Sequence, residues 1–446
     1  MLKNYLDTYS GRRVGFVGAG VSNLPIIRLF AGAGADVIVR DRKLREQTRT
    51  ELEKAGVRIS EGDGYLDGID ECLLFLSPAV RPDIPQLLRA AENGVKITSE
   101  MQEFFELCPC TITAVTGSDG KTTTTTLIAK LLEESGKKVI LGGNIGVNLF
   151  SSLDGISPDD EVVAELSSFQ LMKMTRSPDV AVITNISPNH LDWHRDFDEY
   201  IDAKRNIFRH IKPDGVLVLN EDNDITRSFA DSAGCGVRFF SRRDKDAFCF
   251  IDGEGIHCGG KLLLADGDIK LVGAHNRENF ACAIAAVYDK LCGDALRRVA
   301  TGFGGVEHRI EFVAQKNGVS FYNSSIDSSP TRTAAALRSF GGRVIVIAGG
   351  YDKKIPLEPL VPLFAEKTAG CVLMGDTGPK IASLLKAGGY PFPMLTAQSM
   401  DEAVAKAFSI AGGCGTVILS PAAASFDMFR NFEERGNCFK QAVLRL

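Results

Sequence analysis

The stretch from residue 111 to residue 128 constrains the fold of this 446-residue chain more than any other. Residues 112–115 are apolar enough to form a short buried strand, and Gly117 and Gly120 permit a tight turn before a helix that begins at Lys121. Such a turn aims backbone N–H groups inward, and the helix N-terminus adds about half a positive charge. The pattern is typical of a phosphate-binding loop between a strand and a helix.

The spacing of this loop is unusual. Six positions before the lysine, where the standard loop has a glycine, the chain has Val115. A glycine turn without a ligand is the alternative, but it explains neither Lys121 nor Thr122, which can reach terminal phosphates and magnesium. We therefore interpret the stretch as a nucleotide-binding loop of a shortened kind.

Composition limits the remaining possibilities. A chain of 446 residues exceeds what one hydrophobic core usually serves, so we expect three domains. The apolar share of 44% and the charged share of 24% are typical of a globular protein. A formal net charge of -5 provides no electrostatic footprint for nucleic acid.

The cysteines and the N-terminus indicate the cellular compartment in which the protein is expected. Eleven cysteines are scattered, and the closest pair, Cys108 and Cys110, lacks the spacing of a zinc site. We expect no disulfide framework but reduced thiols, which favours the cytoplasm. The N-terminus is polar and charged, and no apolar run reaches the roughly 18 residues of a membrane span. We therefore expect a cytoplasmic protein that is not associated with membranes.

Residues 13–41 have the pattern of a strand, a helix and a second strand. Gly18 and Gly20 lie where a dinucleotide fold has its first two glycines, and Asp41 lies where a ribose-binding acid would be. Asn23 takes the place of the third glycine. Two interpretations stay open, a nucleotide site or a glycine turn that serves the fold alone.

Polar side chains follow five further apolar segments. In open α/β sheets the ligand crevice lies beyond the carboxyl ends of the strands. These side chains are Ser77, Asn144, Glu165, Asn185 and Asn220. We therefore expect the last four to converge near the phosphate loop, and Ser77 to face a separate ligand.

Three side chains near the loop have competing interpretations. Glu165 closes a strand and suits magnesium, which prefers oxygen ligands, better than it suits a helix cap. His190, in a loop with Asp192, could bind a ligand or merely cap or pack. Lys204, taken alone, is interpreted as a surface lysine.

The C-terminal third repeats the α/β pattern. Asn276, ahead of an alanine-rich helix expected over residues 279–291, could cap that helix, or together with Asn279 it could grip an adenine edge. We predict an α/β protein of three domains. These are a Rossmann-like domain over 1–99, a central P-loop ATPase-type domain over 100–304, and a Rossmann-like domain over 305–446.

Seven motifs stand in one order along the chain. They are Thr-Gly-Ser-Asp-Gly-Lys-Thr (116–122), Gly-Asn-Ile-Gly (143–146), Glu-Leu-Ser-Ser-Phe-Gln-Leu (165–171), Asn-His-Leu-Asp-Trp-His (189–194), His-Asn-Arg-Glu-Asn (275–279), Glu-His-Arg (307–309) and the segment 419–436. Together they resemble the Mur ligase family of ATP-dependent amide ligases, over essentially the whole chain. The third and last motifs are most similar to members that add D-glutamate to UDP-N-acetylmuramoyl-L-alanine.

The resemblance implies a reaction in peptidoglycan precursor synthesis. ATP phosphorylates a carboxylate to an acyl phosphate, and the amine of D-glutamate displaces the phosphate. ATP, the uridine nucleotide, D-glutamate and two magnesium ions are the implied partners, and a monomer is implied. Closure of the third domain would complete the site and exclude water from the acyl phosphate.

The resemblance also assigns residues. The implied catalytic residues are Lys121, His190 and a carbamylated Lys204, and the implied metal ligands are Thr122, Glu165, His190 and Lys204. The implied ATP-binding residues are Gly117, Ser118, Asp119, Gly120, Lys121, Thr122, Thr123, Asn276, Asn279, Arg309 and Asp327. For the uridine nucleotide they are Val21, Ser22, Asp41, Arg42, Ser77 and Asn144, and for D-glutamate Ser328, Lys353, Ser425 and Phe432.

Some positions depart from the family pattern. Asn189 and Ser324 replace aspartates, and Ile326 replaces a lysine, so Asp327 would supply the ribose-facing carboxylate. Two alternatives follow. One is a nucleotide-gated binding or regulatory module that has lost catalysis, and the other is a Mur or folylpolyglutamate type of ligase that uses another amino acid.

Overall fold

The computed structural model describes residues 1–191, 193–271 and 273–446, so Asp192 lies outside the described residues. The chain forms two compact units, one of Met1–Asp266 with Arg277–Val299 and one of Gly267–Asn276 with Ala300–Leu446. The described residues contain three sheets, and the predicted α/β fold class is confirmed. The two boundaries between the three predicted domains stay predictions.

The first sheet lies in the first unit. Its strands are β1 (Arg13–Val17), β2 (Asp36–Asp41), β3 (Arg58–Glu61), β4 (Leu73–Leu76) and β5 (Lys96–Thr98), and its helices are α1 (Leu2–Asp7), α2 (Asn23–Gly32), α3 (Glu46–Lys54), α4 (Pro85–Glu92) and α5 (Glu100–Leu107). All its strand pairs are parallel, in the order β3-β2-β1-β4-β5. The predicted strand–helix–strand unit over 13–41 is therefore present.

An aromatic cluster and a buried ion pair stabilise this sheet. Phe16 of β1 stacks on Phe75 of β4 with ring centroids 4.9 Å apart. Arg40 donates to Glu71 at 2.8 Å, and its side chain is 4% exposed while that of Glu71 is 0% exposed. The remaining guanidinium N–H groups donate to the carbonyls of residues 65, 67 and 68. The ion pair thereby fixes the loop that precedes β4.

Replacement of Arg40 by methionine is expected to lower the free energy of unfolding by about 3–5 kcal/mol, because the Glu71 carboxylate would stay buried without its cation. Arg28→Met is the control, since the Arg28–Glu51 pair is exposed and such pairs contribute about 1 kcal/mol or less. Urea unfolding measures both. An Arg40 variant no less stable than the Arg28 variant would contradict this account.

The second sheet follows in the same unit. Its strands are β6 (Thr111–Thr116), β7 (Val139–Gly143), β8 (Glu161–Glu165), β9 (Val180–Ile183), β10 (Val216–Asn220), β11 (Gly236–Ser241), β12 (Cys249–Ile251), β13 (Gly255–Cys258) and β14 (Lys261–Ala265). The helices here are α6 (Lys121–Glu134), α7 (Ser168–Leu171), α8 (Phe197–Arg209) and α9 (Asp224–Arg227). Helices α10 (Ala274–Val287) and α11 (Ala295–Gly302) follow, and most of each lies in this unit. The order is β14-β13-β12-β11-β10-β9-β6-β8-β7, and only the β12–β13 and β13–β14 pairs among those described are antiparallel.

A disulfide in this sheet corrects the expectation that the cysteines are reduced. Cys249 and Cys258 oppose each other on antiparallel β12 and β13, with Cα atoms 4.2 Å apart, and are bonded. The sequence missed this pair because the strands that bring it together, β12 and β13, carry weak patterns. The other cysteines are free thiols. In the described part of the chain, no helix is both long and apolar enough to cross a membrane.

The third sheet lies in the second unit. Its strands are β15 (Glu311–Lys316), β16 (Val319–Asn323), β17 (Val344–Ala348), β18 (Thr368–Leu373), β19 (Met394–Thr396) and β20 (Gly415–Leu419), and its helices are α12 (Pro330–Arg338), α13 (Leu360–Lys367), α14 (Gly378–Ala387), α15 (Met400–Ala411) and α16 (Phe432–Leu444). The order is β15-β16-β20-β17-β18-β19, and β15 is antiparallel to β16.

Candidate active site

The phosphate loop links β6 to α6 as the sequence predicts. Gly117 has φ 148° and Gly120 has φ 78°, conformations that favour glycine. A Cβ atom on Gly117 would also lie 1.9 Å from Thr184 Oγ1. Val115 explains the short loop, because it is a buried residue within β6. The strand thus continues to the position where the standard loop has already turned.

Lys121 folds back over this loop. Its Nζ donates to the carbonyl oxygens of Gly117 and Ser118, each at 3.0 Å. Asn185 holds the loop from the neighbouring strand end, since its carbonyl accepts from the Ser118 amide at 2.9 Å and its Oδ1 accepts from the Asp119 amide at 3.0 Å. The loop is therefore shaped by its own protein contacts, with a lysine ammonium directly above it.

The polar residues at the strand ends converge on this loop. Thr184 Oγ1 donates to the Asp119 carbonyl at 2.5 Å, and Asn220 Nδ2 donates to the Thr184 carbonyl at 3.1 Å. Asn144 Nδ2 donates to Glu165 Oε1 at 2.9 Å. The structure thus brings together the four strand ends that the sequence places at one edge of the sheet.

Glu165 has the properties of a cation ligand. Its side chain is buried at the end of β8, and Oε2 has no hydrogen-bond partner among the described residues. Ser167 caps α7, so the helix-cap alternative for Glu165 is excluded. A buried carboxylate oxygen without a donor is costly unless a cation or water satisfies it. The site therefore fits a magnesium ion.

Lys204 is not a surface residue, so that interpretation is wrong. It is 1% exposed, because α8 packs its inner face on β6 and β9. Its Nζ donates to the Gly117 carbonyl at 2.8 Å and to Thr116 Oγ1 at 3.2 Å. Burial lowers the pKa of Lys204 well below its usual value, and the charge of Lys121 lowers this pKa further. A buried amine thus lies under the phosphate loop, in surroundings that favour its neutral, nucleophilic form.

His190 occupies a turn after β9. It has φ 54°, and its ring contacts the Phe169 ring with centroids 5.0 Å apart. Asn189, which replaces the family aspartate, accepts from the His190 amide at 2.9 Å and so shapes the turn. Among the described residues, no group of three His, Cys, Asp or Glu side chains is arranged to hold a metal. The role of His190 as a metal ligand stays a prediction.

Asn279 supports the loop from below. Its Oδ1 accepts from Thr124 Oγ1 at 3.3 Å, and a Cβ atom on Gly120 would lie 2.4 Å from that oxygen. Because α10 begins at Ala274 and ends at Val287, earlier than predicted at both ends, Asn276 lies inside the helix and does not cap it. Thr122 and Thr123 lie in the first turn of α6, partly exposed.

Five of the six predicted nucleotide-sugar residues lie at the carboxyl edge of the first sheet, whereas Asn144 contacts Glu165 in the second sheet. The Ala19 amide donates to Asp41 Oδ2 at 3.2 Å. A Cβ atom on Gly18 would lie 2.9 Å from Ser77 Cβ, so the glycine turn and Ser77 are adjacent. Val21, Ser22 and Arg42 lie in the same loops, and Val21 is 93% exposed.

The second unit carries the other predicted residues. Asp327 is buried, and burial raises its pKa to about 6, opposed by hydrogen bonds from Ser324 and Ser420 and by the charge of Arg309. The residues predicted for D-glutamate differ in exposure: Ser425 is buried, Ser328 and Phe432 are partly buried, and Lys353 is exposed.

Sequence reasoning missed Arg435. This side chain is 2% exposed and donates to Ser325 Oγ at 3.0 Å and to the carbonyls of Ala423 and Ala424 at 3.0 and 2.9 Å. Burial lowers the pKa of Arg435 to about 10. Its position within the motif over residues 419–436 is the feature of the sequence that could have identified it. Arg435 holds together two loops that carry predicted D-glutamate residues.

Comparison with known proteins identifies the family. The model of the Mur ligase middle domain matches residues 115–287, and that of the Mur ligase glutamate ligase domain matches residues 308–423. A relative from Acetivibrio thermocellus, named UDP-N-acetylmuramoylalanine–D-glutamate ligase, is 49% identical over 99% of this chain and 98% of its own length. The chain belongs to the Mur ligase family. A relative of the same name from Clostridium novyi is 45% identical over 99% of this chain and 98% of its own length.

Solved structures share the fold of this Mur ligase. UDP-N-acetylmuramate-alanine ligase from Thermotoga maritima has a TM-score of 0.58 at 20% identity, covering 97% of this chain and 99% of that chain. MurF from Acinetobacter baumannii has a TM-score of 0.55 at 17% identity, covering 94% of this chain and 95% of that chain. Identities this low show the fold alone. The family predicted from the motifs is confirmed.

Proposed function

We propose that this Mur ligase joins D-glutamate to UDP-N-acetylmuramoyl-L-alanine at the expense of ATP, in peptidoglycan precursor synthesis. The observation that carries the proposal is the 49% identity with a relative of that name over nearly the whole of both chains. The Lys121 ammonium at the phosphate loop and the Glu165 oxygen that lacks a hydrogen-bond partner support it, since phosphoryl transfer needs a cation and a metal ligand placed around the phosphates. Because its proposed substrates include nucleotides, the reaction would take place in the cytoplasm.

The phosphate loop would bind the donor. Loop amides and the Lys121 ammonium would hold the terminal phosphates of ATP, and Thr122 with Glu165 Oε2 would bind a magnesium ion. Magnesium supplies positive charge that neutralises the phosphates during transfer. In the proposed reaction the substrate carboxylate attacks the γ-phosphate, ADP leaves, and the amine of D-glutamate then displaces phosphate from the acyl carbon.

Lys204 would act as a carbamate. The neutral form of its buried amine would add to the carbon of CO₂ and release a proton, and the product would be an anion with two oxygen donors. A hard magnesium ion accepts such donors. His190 and the Lys204 carbamate would bind the second magnesium ion of the proposed site.

The second unit would bind D-glutamate, which supplies the amine, and would also contact ATP. Arg309 would contact phosphate, and Asp327 the ribose. The cation of Lys353 suits a carboxylate of D-glutamate, with Ser328, Ser425 and Phe432 lining that position. This assignment rests on motif positions in a chain of the confirmed family.

Release of phosphate from ATP, measured with each amino acid in turn, tests the substrate assignment. We expect release with D-glutamate in the presence of UDP-N-acetylmuramoyl-L-alanine, and only background release with L-alanine, L-lysine or meso-diaminopimelate. Release with one of the others and none with D-glutamate would overturn the amino-acid assignment. If no mixture yields ADP, the protein is a nucleotide-gated binding module.

A further inference from the structure

A cluster of charged residues joins the first sheet to the turn that carries His190. Residues 77–84 connect β4 to α4, and Arg81 projects from this connection. Its Nη1 donates to the Trp193 carbonyl at 3.0 Å. The same guanidinium donates to both carboxylate oxygens of Glu199, at 2.7 and 3.1 Å. Arg81 therefore contacts both the His190 turn and helix α8, which carries Lys204.

The charges of this cluster balance. Asp83 accepts from Nε and Nη2 of Arg81, each at 2.9 Å. Arg195 also contacts Asp83, so two arginines face two carboxylates. Hydrogen bonds from Arg81 lower the pKa values of Asp83 and Glu199, both to about 2. Both carboxylates are consequently ionised throughout the neutral range, and each Arg81 nitrogen has an acceptor.

Aromatic contacts extend the cluster to His190. The Arg81 guanidinium lies over the Trp193 ring, 5.1 Å from its centroid. Trp193 packs on Phe169 with centroids 4.7 Å apart, and the amide of Trp193 donates to the His190 carbonyl at 3.1 Å. His190 itself contacts Phe169. Displacement of Arg81 would therefore move the turn that presents His190.

The other end of the connection lies at the edge of the first sheet. Ser77 is adjacent to the glycine turn at Gly18, and its carbonyl accepts from Lys173 Nζ and from the Val80 amide. A ligand at this edge would contact Ser77, four residues before Arg81. One short segment thus contacts the predicted nucleotide-sugar edge and the His190 turn.

We propose that Arg81 is a positioning residue that ties the His190 turn and helix α8 to the nucleotide-sugar edge of the first sheet. Occupancy of that edge by the uridine nucleotide then fixes the arrangement in which phosphate is transferred. The inference rests on the proposed function. Its consequence is that ATP is consumed efficiently only when the acceptor substrate is bound.

Trp193 provides a direct readout, because it is the one tryptophan in the sequence. Titration of the parent protein with UDP-N-acetylmuramoyl-L-alanine, without ATP, is expected to change tryptophan emission. Arg81→Gln should abolish most of this change and lower kcat about 10- to 100-fold, the usual effect of losing a residue that orients metal ligands. The KM for ATP should stay near that of the parent, and Arg81→Lys should recover part of kcat.

Arg28→Gln is the matched control, since it also removes an arginine that pairs with a glutamate. The Arg28–Glu51 pair is exposed and lies outside the cluster around Arg81. It should behave as the parent. If Arg81→Gln fails to fold by circular dichroism, Glu199→Gln keeps the side-chain shape, removes the charge and has the same expected effects.

Two results would overturn the proposal. One is parent kcat in the Arg81 and Glu199 variants, even if their thermal stability falls, because Arg81 would then only attach two parts of the unit. The other is a parent protein whose Trp193 emission does not respond to the nucleotide substrate. Failure of the proposed function is distinguishable, since the parent itself would form no product with D-glutamate.

Discussion

Replacement of Lys121 by alanine is expected to lower kcat for ligation about a hundred- to a thousandfold, equivalent to roughly 3–4 kcal/mol of lost transition-state stabilisation. Its ammonium lies 3.0 Å from two carbonyls of the phosphate loop, where it can contact the terminal phosphates of ATP. Charge accumulates on the transferred phosphoryl group, so the loss falls mainly on kcat. Steady-state phosphate release measures it.

Lys130→Ala is the matched control, because Lys130 lies exposed on the same helix, α6. It should retain parental turnover. Thermal unfolding should be similar for both variants, since Lys121 is only partly buried. A Lys121 variant that turns over at more than a tenth of the parental rate would contradict the role of this lysine in binding the phosphates.

Lys204 is expected to carry a carbamate, detectable as a mass increase of about 44 Da that is lost at low pH. Burial lowers the pKa of Lys204 well below its usual value and so favours the neutral amine, which is the form that reacts with CO₂. Acid protonates the carbamate and releases CO₂. Lys204→Met removes the amine, keeps a side chain of similar length, and should lower turnover at least about a hundredfold.

The stability of the Lys204 variant separates this role from a structural one. An apolar side chain suits a position that is 1% exposed better than an ionisable amine does, so thermal stability should not fall while activity is lost. Lys212→Met, at an exposed position, is the control and should leave both unchanged. Full activity of a protein whose Lys204 is unmodified would refute the carbamate.

Local patterns predicted the core of the site. The apolar run before Gly117 gave a strand, the glycines gave a turn, and the polar residues after four strands lie where the rule for parallel sheets places them. The motif order predicted the family, which the relatives confirm. Strands β15 and β19 were missed, because their burial is partial and their apolar pattern is weak.

Features that depend on distant contacts were beyond reach of the sequence. Lys204 is on a helix with an ordinary amphipathic pattern, and its burial arises only when α8 packs on β6. Arg81 and Glu199 are separated by 118 residues, and nothing local to either indicates that they form a pair. Such contacts depend on how the helices pack on the sheets, and the periodicity of apolar residues in the sequence does not specify that packing.

Transfer of heavy oxygen from the acceptor substrate to phosphate tests the central claim most directly. UDP-N-acetylmuramoyl-L-alanine labelled with heavy oxygen in its free carboxylate would be incubated with ATP and D-glutamate, and the released phosphate analysed by mass spectrometry. The acyl-phosphate mechanism predicts one labelled oxygen in each phosphate, formed in equal amount to the amide product. Unlabelled phosphate, or labelled phosphate without an amide that contains D-glutamate, would contradict it.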